Sequence, residues 1–144
     1  MEYPIEISKI LEIIEGLITN DLHSISFTGG EPLVQLNILI QLAKALKKQK
    51  TRYPLYLETN GSMDLDKNQM KKLGQLFDFC CCDIKDRSAQ AASLENWKDL
   101  INIEIQFIKA LVDLDVKIFA KLVLTSKTKI QDVSWICEEL SKIT

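Results

Sequence analysis

Ionisable and amide side chains recur at the ends of short apolar runs of this sequence, in Thr28-Gly29-Gly30-Glu31-Pro32, Glu58-Thr59-Asn60-Gly61 and Asp83-Ile84-Lys85-Asp86, while a fourth run carries Lys121 and ends near Thr125-Ser126-Lys127. The chemistry this set suits is recognition of a small charged ligand. Glu31 and the exposed carbonyls of the glycine loop can hold an ammonium, Lys85 can hold a carboxylate, and Glu58, Thr59 or Asn60 can bond to hydroxyls. A zwitterionic, amino-acid-like ligand carrying a sugar would satisfy all three. Solvated strand ends carry the same residue types, so that plain alternative stands beside the ligand reading. A phosphate loop fits less well. The glycine pair lacks G-x-x-x-x-G-K-[ST] and G-x-G-x-x-G, and Glu31 stands where an anion needs open backbone N–H groups.

These residues need elements to position them. Residues 24–28 have the period-2 alternation of a strand, Gly29-Gly30 lets the backbone turn or approach a ligand closely, and Pro32 suits a loop or the first turn of a helix. Before that strand, residues 5–18 put Ile7, Ile10, Leu11, Ile14, Leu17 and Ile18 on one helical face, with Pro4 acceptable at the first turn. After the glycine loop a helix is predicted over 34–48, with Leu36, Leu39, Ile40 and Ala43 inward. Lys44, Lys47 and Lys48 crowd its last turns, as the helix dipole favours. Residues 55–59 read as the next strand and Asn60-Gly61 as a turn. A short helix is predicted over 66–73, closed by Gly74 as a C-terminal cap.

Residues 77–84 form the third predicted strand, almost continuous in apolar and cysteine residues, as a parallel strand covered on both faces should be. A polar loop over 86–93 leads to a long helix over 94–114, with Trp97, Leu100, Ile101, Ile105, Ile108, Leu111 and Val112 on one side. A fourth strand over 117–124 and a last helix over 130–143, burying Val133, Ile136, Cys137 and Leu140, complete the pattern α-(βα)4. Right-handed crossovers then allow either a doubly wound sheet or an arc of a β/α barrel. In both, ligand sites lie at the C-terminal ends of the strands, where the polar residues collect.

Composition sets the class. A chain of 144 residues with 47% hydrophobic and 26% charged residues reads as one domain, spanning 1–144, with material for a core. Its net charge of -2 gives no reason to expect nucleic acid or an anionic membrane as partner. Without a long apolar run or a basic-then-apolar start, the expected location is the cytoplasm. His23 has no thiolate, second histidine or nucleophile near it in sequence and reads as structural or surface. Trp97 and Trp135 read as core packing.

TGGEP at 28–32, LETNG at 57–61 and DIK at 83–85, each at a strand end and in this order, resemble the radical S-adenosylmethionine (radical SAM) superfamily. The likeness is to its organic-radical-activating and glycyl-radical-enzyme-activating branch and to the related carboxy-deazaguanine synthases, and it covers nearly the whole chain. The resemblance implies a partial β/α barrel, here of about four parallel strands with flanking helices. It also implies S-adenosylmethionine as ligand and a [4Fe-4S] cluster that cleaves it reductively to a 5′-deoxyadenosyl radical. On this basis Gly29, Gly30 and Glu31 would contact the methionine amino group, with Pro32 shaping that loop. Glu58, Thr59 and Asn60 would lie near the methionine or ribose part, and Asp83 and Lys85 would organise the cofactor and its carboxylate.

The resemblance also implies a C-x-x-x-C-x-x-C motif after a first strand, and this sequence has none. Its cysteines are Cys80, Cys81, Cys82 and Cys137. Consecutive residues on a strand point to opposite faces, so the first three suit neither a disulfide framework nor a cluster and are expected to be structural. The expectation is a fragment, separately encoded portion or degenerate member that neither assembles the cluster nor cleaves S-adenosylmethionine by itself. The alternative is a non-catalytic binding or scaffold protein. The substrate is either a protein or a small molecule. An arc with open sheet edges is also expected to associate, as a dimer or with a missing N-terminal portion.

Overall fold

The computed structural model describes residues 6–49, 53–93 and 95–143. Pro4, Ile5 and Leu94, which the sequence reading placed at helix starts, lie outside them. Helix α1 (Ile7–Leu17) is followed by strand β1 (Ile25–Phe27), a 3-10 turn (Pro32–Gln35), α2 (Leu36–Lys48), β2 (Leu55–Thr59), α3 (Lys67–Leu76), β3 (Phe79–Lys85), a second 3-10 turn (Arg87–Ala89), α4 (Trp97–Val112), β4 (Lys117–Val123) and α5 (Ile130–Leu140). The four strands are all parallel and lie in sequence order β1-β2-β3-β4. Unidirectional winding with right-handed crossovers keeps the helices on one face, which is an arc of a barrel rather than a doubly wound sheet.

Register shows how the faces are divided. Leu57 is opposite Cys80 and Thr59 opposite Cys82, and this row, continued by Leu55 and Ile84, is buried against the helices. Tyr56 is opposite Phe79, Glu58 opposite Cys81, and Asp83 opposite Lys121, forming the other face. Phe79, Asp83 and Lys85 there are half-buried, and Phe119 and Lys121 exposed. The run Cys80-Cys81-Cys82 is thus not covered by helices on both sides. Cys81 is buried on the open face, in register with Phe119.

At the N-terminal ends of the strands one side chain sets the alignment. Asp78 Oδ2 accepts from Leu55 N (2.8 Å) and Lys47 Nζ (2.7 Å), while Asp78 O accepts from Lys117 N (3.2 Å). Phe77, expected in the strand, is instead the residue that ends α3 and meets Phe27 edge-on at 5.1 Å. Helix α3 starts on a capping box, with Asp66 Oδ1 accepting from Asn68 N and Gln69 N and Gln69 Oε1 accepting from Asp66 N.

Two sequence expectations are corrected here. Gly74 does not cap α3 but lies inside it; a Cβ there would stand 2.7 Å from Leu114 Cβ, so glycine permits close packing. Cys137 is exposed, because Ile136 takes the inward position of α5. On α1 the expected face is half-buried at Ile7, Ile10, Leu11 and Ile14, with Leu11 and Ile14 against the core, while Leu17 is 72% exposed. Trp97 packs as expected, in a T-shaped pair with Trp135 at 5.3 Å, and His23 lies against Phe79 at 6.3 Å.

Candidate functional site

The site begins with the loop that leaves β1. Gly29 (φ 101°) and Gly30 (φ 57°) both have left-handed backbone, and no atom lies within 4 Å of where a Cβ would stand. The glycines are needed for the turn, and the space beside them is open. The loop delivers Glu31 to the end of β2. There Glu31 Oε1 accepts from Thr59 Oγ1 (2.6 Å) and Leu33 N (3.0 Å), and Oε2 accepts from Asn60 N (2.9 Å). Pro32 is buried at the first position of the 3-10 turn that Glu31 caps.

The end of β2 is fixed in turn. Thr59, almost wholly buried, accepts from Gly61 N (3.0 Å), and Asn60 Oδ1 accepts from Ser62 N (2.9 Å) and Ser62 Oγ (2.7 Å). Gly61 has φ 66°, and a Cβ would meet Cys82 Sγ at 2.8 Å and Phe107 Cδ1 at 2.9 Å. On the open face of β3, Asp83 Oδ1 pairs with Lys121 Nζ of β4 at 2.7 Å. That contact raises the Lys121 pKa, chiefly through the hydrogen bond to Asp83 and then through its charge. Lys85 makes no ion pair among the described residues.

Thr28, Gly30, Glu31, Glu58, Thr59, Asn60, Asp83 and Lys85 together line a pocket of about 90 Å³ at the C-terminal ends of β1, β2 and β3. Three segments separated in sequence by more than twenty residues therefore converge. Gly29 and Pro32 shape the loop without lining the pocket. The pocket has room for a charged head group rather than a whole nucleoside. Glu31 already accepts three hydrogen bonds, so of the roughly four acceptor positions of a carboxylate it keeps about one for a ligand. Thr59 is likewise committed to the scaffold. Glu58, the Asn60 amide N–H2, Lys85 and the glycine-loop carbonyls carry the remaining recognition capacity.

Glu104 escaped the sequence reading. It lies on α4 between inward Ile101 and Ile108, is 2% exposed, and its Oε2 has no hydrogen-bond partner. Burial pushes its pKa up to about 8, opposed by the charge of Lys85. An acid three residues after one inward isoleucine and four before another is the signal that marks it.

The thiols do not fit an iron–sulfur cluster. Among the described residues no three histidine, cysteine or acidic side chains are grouped to hold a metal. Burial pushes the Cys80 thiol up to about 12 and raises Cys82 as well, as befits structural cysteines packed in a strand. Cys137 lies on α5 and is exposed.

The model of a family described as a 4Fe-4S single cluster domain matches residues 2–106. Together with the barrel arc and the strand-end motifs, this identifies the class: the chain belongs to the radical SAM superfamily. Over 132 residues, 92% of its length, it is 37% identical to a 7-carboxy-7-deazaguanine synthase of Thermococcus kodakarensis. It is 35% identical over 141 residues to the protein of that name from Methanothermobacter thermautotrophicus, and 34% identical over 139 residues to that of Methanocaldococcus jannaschii. The chain spans about half of these relatives, 49% of the first and 54% of the other two. A solved domain of a pyruvate-formate lyase-activating enzyme from Bacteroides vulgatus shares the fold, with a TM-score of 0.65 at 15% identity over 85% of this chain and 74% of that one. No helix among the described residues is long and apolar enough to cross a membrane.

Proposed function

We propose that this chain is the S-adenosylmethionine-binding portion of a radical SAM enzyme of the carboxy-deazaguanine synthase kind. The observation that carries the reading is the convergence of Gly30, Glu31, Glu58, Asn60, Asp83 and Lys85 on one pocket. In this reading Lys85 holds the ligand's carboxylate. The glycine-loop carbonyls and the remaining acceptor of Glu31 hold its ammonium, Asn60 and Glu58 face the ribose side, and Asp83 is kept in place by Lys121. The shared name of the relatives supports a small molecule rather than a protein as the substrate.

In radical SAM enzymes a [4Fe-4S] cluster supplies the electron that cleaves S-adenosylmethionine. The thiols of this chain are unsuited to it, so the chain alone binds the ligand without cleaving it. Isothermal titration of the purified chain with S-adenosylmethionine tests the binding step. Saturable binding that Lys85→Met weakens tenfold or more supports the reading, and absence of binding refutes it. Anaerobic reconstitution with a strong reductant tests the second step: 5′-deoxyadenosine formed by this chain alone would overturn it.

A second reading is favoured by the open sheet face, where Phe119 is 55% exposed beside Tyr56 and Phe79 on three adjacent strands. In that reading the chain is a non-catalytic scaffold that associates through this face and the adjoining edge.

A further inference from the structure

We propose that Lys121 of β4 is a positioning residue for the strand-end pocket: by engaging Asp83 it keeps the Lys85 ammonium free for the carboxylate of the ligand. The inference rests on the reading of that pocket under Proposed function and deepens it. It starts from the alternation of β3. Asp83 and Lys85 are two residues apart, so their side chains leave the same face of the strand and their Cα atoms are about 7 Å apart. Both line the pocket of about 90 Å³. A long lysine side chain reaches an aspartate over that span, so Asp83 is a ready partner for Lys85. Yet among the described residues Lys85 makes no ion pair, whereas Asp83 Oδ1 holds Lys121 Nζ at 2.7 Å.

The register of β3 and β4 explains this choice of partner. Asp83 stands opposite Lys121, while Lys85 stands opposite Val123, which offers no charge. Neighbouring strands lie about 5 Å apart, less than two steps along one strand, so Asp83 meets Lys121 before it meets Lys85. Lys121 is exposed and does not line the pocket. Its effect there is indirect and follows from the balance of charge. Three carboxylates, Glu31, Glu58 and Asp83, line the pocket with one ammonium, Lys85. Glu31 is tied down by Thr59 Oγ1, Asn60 N and Leu33 N. Glu58 is on β2, in register with Cys81 rather than with Lys85. Asp83, on the same face of the same strand, is the acid placed to compete with a ligand carboxylate for Lys85, and Lys121 takes it out of that competition.

Two measurements test this. Isothermal titration with S-adenosylmethionine compares the parent chain with Lys121→Met. The ligand carries a sulfonium, an ammonium and a carboxylate and is net positive, so loss of a nearby lysine charge would by itself tighten binding. Capture of Lys85 by the released Asp83 acts in the opposite direction. Binding should weaken by about fivefold, the worth of a partly exposed ion pair that the ligand must now break. Lys121→Arg, which still pairs with Asp83, should bind as the parent does. In an Asp83→Asn background Lys121→Met should no longer weaken binding, because asparagine carries no charge to capture Lys85; in a Glu58→Gln background the weakening should persist. Unchanged or tighter binding by Lys121→Met, or equal weakening in the Asp83→Asn background, would overturn the inference while leaving the binding reading standing. The second measurement needs no ligand: in a crystal structure of Lys121→Met, Lys85 should lie within ion-pair distance of the Asp83 carboxylate, and a Lys85 still apart from it would overturn the inference whatever binds. If neither the parent nor any variant binds while that pair forms, the reading of the pocket fails and the part of Lys121 in keeping Asp83 from Lys85 stands.

Discussion

Replacing Glu31 by alanine should destabilise the ligand-free chain. The carboxylate accepts from Thr59 Oγ1 at 2.6 Å, Asn60 N at 2.9 Å and Leu33 N at 3.0 Å, so it joins the loop after β1 to the end of β2. Hydrogen bonds to a charged acceptor are worth about 1.5–3 kcal/mol each where donors are buried, and Thr59 and Leu33 are buried while Asn60 is partly so. Because water can reach part of the site in the variant, the sum is discounted to a loss of about 2–4 kcal/mol. The assay is urea denaturation followed by circular dichroism, with a Thr59→Val partner to close a double-mutant cycle. The expected coupling between positions 31 and 59 is about 1–2 kcal/mol. A loss below about 0.5 kcal/mol for Glu31→Ala, within the range of unremarkable surface substitutions, would refute the view that this acid is a clamp as well as a ligand contact.

Other perturbations follow from the same geometry. Gly61→Ala combines a left-handed backbone with a Cβ at 2.8 Å from Cys82 Sγ and 2.9 Å from the Phe107 ring; it should cost ~2–4 kcal/mol in the same denaturation experiment, and a neutral effect would refute the packing at this turn. Folding raises the Glu104 pKa from 4.5 to about 8, so the folded chain keeps a proton that the unfolded chain has released. Its contribution is fully present below pH 4.5 and is lost as pH rises to about 8. Between pH 5 and 8 the parent should therefore lose ~3 kcal/mol relative to Glu104→Gln, and parallel stability curves would refute the assignment. Among the described residues β1 and β4 are unpaired on their outer sides, which with the exposed Phe119 leads us to propose a dimer; light scattering that gives a monomer mass independent of concentration would sink it.

Much of this protein is legible in its sequence, and for local reasons. The strand Leu55–Thr59 falls where the alternation places it, because a run bounded by Tyr53-Pro54 and Asn60-Gly61 has no other regular structure open to it. The inward faces of α2 and α4 follow from helical spacing. The site motifs were visible as polar residues at strand ends, since parallel winding brings every such end to one side.

Tertiary structure decided the rest. Periodicity is the same for a doubly wound sheet and a barrel arc; strand order and the one-sided burial of Leu57, Cys80 and Cys82 distinguish them. The glycine at 74 has the composition of a cap, but Leu114, forty residues away, makes it a packing contact inside α3. Glu31 looked free to meet a ligand until the end of β2 supplied most of its donors. Glu104 is an ordinary helical acid in sequence. What makes it unusual is its burial, a consequence of how α4 lies on β3, and desolvation acts on the surroundings a residue acquires rather than on its name.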